Sequence, residues 1–237
     1  MKRHSSLNSR WLGGALLGAA GLAALSYAGY GYATWAGYGR RPRRIPADAM
    51  LDRFVPDPEV VERHELRVRA PADVAFLAAR GLDLGRSTLV RAIFAGRSLL
   101  MGANEVPKES PAPLLEKALT LGWGILAEIP GRKVVLGTVT KPWNADVVFE
   151  TVAPDAFATF DRPGYAKIIW TLEAEPVDAD TSIARTETRV VTTDPGSRER
   201  FRRYWAVVSP GVRLIRRQML RVLRANAERM WHAGRVH

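Results

Sequence analysis

Few of the 237 residues carry side chains suited to chemistry: there are four histidines and no cysteine. Without cysteine there can be no disulfide, no thiolate metal site and no cysteine nucleophile, and the redox compartment stays open. His4, His232 and His237 lie at the ends of the chain, so no metal site is expected. No HExxH, Gly-rich phosphate loop or nucleophile elbow occurs, and no cofactor is implied. His64 remains. In the run Val60 to Ala70, Val60, His64, Leu66 and Val68 share one face of a strand, and Arg63, Glu65, Arg67 and Arg69 the other. An inward histidine serves either as a hydrogen-bonded core residue or as a proton carrier near neutral pH. The carboxylate proposed to complete a proton-transfer pair with it is Glu187. Alternation puts Ile183, Arg185, Glu187, Arg189 and Val191 on one face, where the three charged residues also read as a solvated cross-strand ladder of small energetic worth.

These residues must be positioned by strands and one long helix. Ser182 to Thr193 reads as a strand ending at Asp194-Pro195-Gly196, a turn that also starts a helix. Phe201, Tyr204, Trp205 and Val208 then recur at helical spacing, and Val212, Ile215, Met219, Val222 and Met230 resume the face after a break at Pro210-Gly211. Upstream, residues 44–58 read as a linker, and Pro71-Ala72-Asp73 opens a helix through about Arg80. A second helix is expected from Arg86 to Met101, a loop from Asn104 to Pro113, and a short helix from Pro113 to Leu121. Strands follow over Leu121 to Ile129 and Lys133 to Thr140, joined by Pro130-Gly131-Arg132, then over Phe157 to Asp161 and Tyr165 to Pro176. Hairpin-linked strands pair antiparallel, and the long helix is what can cover their apolar face. The fold class is therefore α+β.

Residues 1–39 form a separate segment and 40–58 a basic, proline-rich linker, leaving 59–237 as the folded domain. Trp11 to Gly39 contains no charged residue and exceeds the roughly 20 residues needed to span a bilayer. Trp11, Tyr27, Tyr30, Tyr32 and Trp35 have the positions of interfacial anchors, so a single-pass membrane protein is expected. The rival is a cleaved signal with Ser26-Tyr27-Ala28 as its site and an exported domain. Arg40 to Arg44 places the domain on the cytoplasmic side, although the basic tail before the apolar run argues the other way. Gly14 and Gly18 have a spacing that permits close helix packing.

Val61-Glu62-Arg63-His64 followed by Ala70-Pro71-Ala72 resembles the first strand and helix of the START-like helix-grip superfamily, also called SRPBCC. That superfamily includes polyketide cyclase/dehydrase-type and lipid-transfer proteins. Phe160 to Lys167, Thr186 to Val190 and Arg200 to Trp205 are similar to stretches of a bacterial branch of it. The resemblance covers about Asp52 to Met230. It implies a curved antiparallel sheet wrapped on the C-terminal helix, with the first and last strands adjacent and an apolar ligand held between sheet and helix. It carries over no catalytic residue. The residues expected to line that cavity are His64, Trp123, Trp170, Tyr204 and Trp205.

The expected function is a membrane-tethered binding protein for a hydrophobic small molecule or lipid. A cyclase- or dehydratase-like enzyme in the same cavity is the alternative. A third reading follows from the net charge of +11: Arg198, Arg202, Arg213, Arg217, Arg221 and Arg224 would bind an anionic membrane or nucleic acid. No aromatic platform is interleaved with those arginines, which ranks nucleic acid last.

Overall fold

A computed structural model describes residues 6–39, 47–83, 87, 91–93, 95, 96, 102 and 112–234, with side chains at 18 and from 21 onward in the first of these stretches. Of the helix expected over 86–101, residues 91–93, 95 and 96 are described and are helical; the rest of it apart from residue 87, the loop over 104–111 and Arg40 to Arg44 fall outside the described residues. The helices are α1 (Ser6–Gly37), α2 (Ala49–Asp52), α3 (Ala72–Arg80), α4 (Leu114–Thr120), α5 (Pro154–Phe157) and α6 (Pro195–Gly234). The strands are β1 (Val60–Val68), β2 (Gly124–Ile129), β3 (Lys133–Thr140), β4 (Phe149–Glu150), β5 (Ala166–Asp178) and β6 (Thr181–Thr192).

The strands form one antiparallel sheet in the order β1-β6-β5-β3-β2, with β4 pairing β3 beyond the end of β2. The first and last strands are neighbours over their full length, from Val60 opposite Val190 to Val68 opposite Ser182. Gly131, at a φ of 70°, turns β2 into β3. Gly122, at a φ of 100°, brings the chain so close to β4 that a Cβ there would meet the Phe149 carbonyl at 2.2 Å.

Alternation gives the sheet two apolar faces, and both are covered. On the inner face α6 lies across β1 and β6, and α3 across β5 and β6. Phe76, Leu136, Trp170, Leu172, Met219 and Leu220 pack between them. On the outer face α2 and α5 bring Leu51, Phe54, Val55 and Phe157 onto Val135, Val139 and Ile169, with the Phe54 and Phe157 rings edge to face. Every residue of β3 is therefore buried. Each large apolar side chain fully withdrawn from water contributes about 1.5–3 kcal/mol. Short α2 lies inside the stretch read as a linker, and α5 occupies the start of what reads as a strand at Phe157.

Asp194 caps α6 as its sequence position suggests. It accepts from the Ser197 backbone at 2.9 Å, the Ser197 hydroxyl at 2.5 Å and the Gly164 backbone at 2.6 Å. Those bonds, the Ser197 hydroxyl foremost, hold its carboxyl well below the usual carboxylate range. The break expected at Pro210 does not occur: α6 is continuous through it.

Among the described residues no helix is long and apolar enough to cross a membrane. This overturns the single-pass membrane placement of residues 11–39. Of the aromatics read as interfacial anchors, Tyr27, Tyr30 and Trp35 instead contact α6, while Tyr32 is exposed and stacks on Trp35. The Tyr27 hydroxyl donates to the Val207 carbonyl, and Tyr30 bonds Ser209 at 3.3 Å. The Arg202 guanidinium lies 3.7 Å from the centre of the Trp35 ring. Ser26-Tyr27-Ala28 lies within α1 rather than in an open segment.

Candidate functional site

The inner face is not uniformly apolar. Near one end, Val60, Ala166, Val190, Phe201 and Trp205 form a cluster. Toward the other, Val68, Leu136, Trp170, Leu172, Ala184 and Leu223 form a second. Between them alternation in β1 and β6 brings Glu62, His64, Thr186 and Thr188 to the same face, with Glu62 opposite Thr188 and His64 opposite Thr186. From above, α6 adds Arg213 and Arg216, three residues apart and so neighbours on one side of the helix. The result is a polar belt across the helix–sheet interface.

Within the belt, Arg213 donates to Glu62 Oε1 from Nε at 2.7 Å and approaches the same oxygen through Nη2 at 2.6 Å. His64 Nε2 lies 3.5 Å from Glu62 Oε2, and this buried nitrogen makes no hydrogen bond with a described residue. Burial alone would raise the Glu62 carboxyl, but His64 and Arg213 outweigh it and hold the group below the ordinary glutamate value. Arg216 donates to Thr188 Oγ1 at 3.1 Å, and its guanidinium carbon stands 4.6 Å from the centre of the Trp170 ring. Trp170 is fixed in turn by donating Nε1–H to Thr186 Oγ1 at 2.7 Å, and that hydroxyl donates to the Thr171 carbonyl at 2.8 Å. Burial brings Arg216 down to about 10, with the Glu62 charge acting in the opposite sense. It remains a cation at neutral pH. Among the described residues it makes no ion pair.

From Trp170 an aromatic strip runs outward over β3 and β2. Trp123 meets Trp170 edge to face at 6.2 Å and Phe149 at 5.8 Å. Beside it Ile125, on the same face through its pairing with Leu136, is exposed to solvent. Of the five residues expected to line a cavity, His64, Trp123 and Trp170 thus share one region. Tyr204 and Trp205 belong to the other cluster, where Trp205 is buried and stacked on Phe201 at 5.9 Å. Glu62, Thr188, Arg213 and Arg216 escaped the sequence reading. Glu62 was legible as the carboxylate two residues before His64 on the same face. The arginines were not, because reading them as the polar side of α6 sends them to solvent.

The proposed His64–Glu187 pair does not exist. Glu187 stands opposite Arg63 and points to the outer face, where it accepts from Arg63 at 3.1 Å and from Arg189 at 2.7 Å. Nor is the outer charge row a solvated ladder throughout. Arg185 does bridge Glu65, Glu173 and Glu175 with partly exposed carboxylates. Glu187 and Arg189, however, are 2% and 1% exposed, because α2 lies over them and Asp52 binds Arg189 at 2.5 Å. The ion pairs continue from Arg63 through Glu65, Arg185, Glu173 and Lys133 to Asp48, the cap of α2. They close a ring that starts and ends on that helix. A concavity of 410 Å³ adjoins it, lined by Asp48, Arg132, Lys133, Glu173, Glu175 and Arg185 among others. A second, of 420 Å³, is lined by Arg67, Arg69, Arg224 and Glu228 at the surface. Among the described residues no group of three or more histidines and carboxylates could hold a metal ion.

No family model and no curated protein matches the chain. Comparison with solved structures finds distant likenesses. The di-domain ARO/CYC BexL of the BE-7585A biosynthetic pathway is 16% identical with a TM-score of 0.30, covering 71% of this chain and 46% of that one, so this chain spans less than half its length. Truncated norcoclaurine synthase from Thalictrum flavum is 14% identical with a TM-score of 0.32, covering 72% and 92%. Hypothetical protein jhp0584 from Helicobacter pylori is 9% identical with a TM-score of 0.37, covering 79% and 99%.

Proposed function

We propose that the protein binds a small apolar molecule on the inner face of the sheet, beside α6. The observation that carries this reading is the strip formed by Trp123, Phe149 and Trp170, bordered by Ile125, which is open to water, and meeting the polar belt at its inner end. Exposed apolar surface that runs into a few convergent polar groups is the usual form of a small-molecule site. The decisive test is native mass spectrometry of the full chain, purified without organic extraction, together with tryptophan fluorescence titration using decanol. A retained discrete mass, or saturable binding weakened about tenfold by Trp123→Ala, is expected. No retained mass and no saturable binding would refute the reading.

A second reading, proton transfer in the same groove, draws on the contact between His64 and Glu62 and the open hydrogen-bonding capacity of His64 Nε2. It requires that a β-hydroxy ketone probe lose water to give conjugated enone absorbance, and that His64→Gln abolish this. An inert probe counts against it.

A further inference from the structure

We infer that the inner-face site takes monoanionic amphiphiles, with a carboxylate held by Arg216 and His64 Nε2 and the apolar body laid along the Trp170–Trp123 strip. The inference rests on the ligand site proposed above and names the chemistry of its occupant. Three features of the belt support it.

First, the charges do not balance. Among the described residues, two guanidinium groups, Arg213 and Arg216, face one carboxylate, Glu62, and Arg213 already occupies Glu62 Oε1 twice. Second, Arg216 is held in place without an anion. A guanidinium carries five N–H donors. Among the described residues Arg216 bonds one neutral hydroxyl, that of Thr188, and rests on the Trp170 ring. A half-buried cation left so is raised in energy until an anion arrives, and a carboxylate meets its planar fork with two parallel bonds. Third, Trp170 belongs to both the belt and the strip. A molecule lying along the strip therefore ends beside Arg216, in the neighbourhood of the buried His64 nitrogen, which makes no hydrogen bond with a described residue and lies 3.5 Å from Glu62 Oε2. The excess of one positive charge favours one negative charge over two.

The test titrates the full chain calorimetrically with decanoate and with decanol at pH 8, both below their aggregation limits. These probes share an apolar body and differ in the head group. Decanoate should bind about tenfold or more tightly than decanol. Arg216→Gln should bring that ratio to near one, with folding confirmed by circular dichroism. If Arg216→Gln does not fold, Arg216→Lys reads the same ratio, which should fall because the planar fork is lost. Equal binding of the two probes by the wild type overturns the inference and leaves the ligand site standing, as does a ratio that survives substitution of Arg216. Binding of neither probe overturns the ligand site itself, and the inference with it.

Discussion

Glu62→Gln keeps the shape of the side chain that balances the polar belt and removes its charge, leaving Arg213 and Arg216 beside each other with no anion between them. The substitution should destabilise the protein by about 1–3 kcal/mol, seen as a lowered urea midpoint at unchanged slope. An unchanged midpoint would mean that water already satisfies Arg213. The same residue predicts a pH dependence. Glu62, Asp48 and Asp194 all have folded-state values below their unfolded ones. Their contribution is therefore complete above the unfolded values, near pH 4, and is lost as the pH falls through the folded ones. Unfolding free energy should drop steeply below about pH 4 in the wild type and less steeply in Glu62→Gln. Period-two alternation was enough to place His64 inward and Glu187 with Arg185 and Arg189 on the opposite face. It could not show that Glu187 and Arg189 are buried, because burial depends on what lies above them.

What lies above them is α2, four residues with no period to read, carrying Asp48 and Asp52 to the two ends of the ion ring. Removing one member of a buried pair strands the other. Arg189→Ala should cost about 3–5 kcal/mol, since Glu187, almost without exposure to water, would keep only Arg63 of its two cationic partners. Replacing both Glu187 and Arg189 by leucine should recover at least half of that loss, as the ions left behind, Arg63 and Asp52, lie nearer to water and Arg63 keeps Glu65; a double-mutant cycle in urea measures it. If the double variant is as unstable as the single one, the ring holds α2 by geometry that apolar packing cannot replace. The C-terminal helix shows another limit of local reading. Pro210-Gly211 spells an interruption, because proline removes the bond to the Ala206 carbonyl. Yet α6 continues, and α1 docks at this point: Tyr27 bonds Val207, Tyr30 bonds Ser209, and Gly31 lies against the Ala206 carbonyl. No pattern within α6 contains those contacts.

Across the whole molecule, the strands, the hairpins and the covering helix were legible because each leaves a period or a turn in its own stretch of chain, whereas the order of strands in the sheet was not, the pairing of the first with the last being implied by the family resemblance alone. The docking of α1 was not. An uncharged run rich in alanine, glycine and tyrosine reads the same whether lipid or another helix receives it. The net charge of +11 misled in a similar way. Arg217, Arg221 and Arg224 do face solvent, but Arg202 turns to Trp35 and Arg213 to Glu62, so the six arginines do not make one surface. Tyr27→Phe should lower stability by about 0.5–1.5 kcal/mol by calorimetry; no change would show that water replaces the Val207 contact without loss. Tyr27 and Val207 are 180 residues apart, and β1 pairs with the final strand. At a synthesis rate of about 5–20 residues per second, the partner of Tyr27 appears roughly 10–40 s after Tyr27 itself. During that interval the aromatic side of α1 and the open edge of β1 have nothing native to meet. The molecule is a clasp, fastened last at the two parts made furthest apart in time.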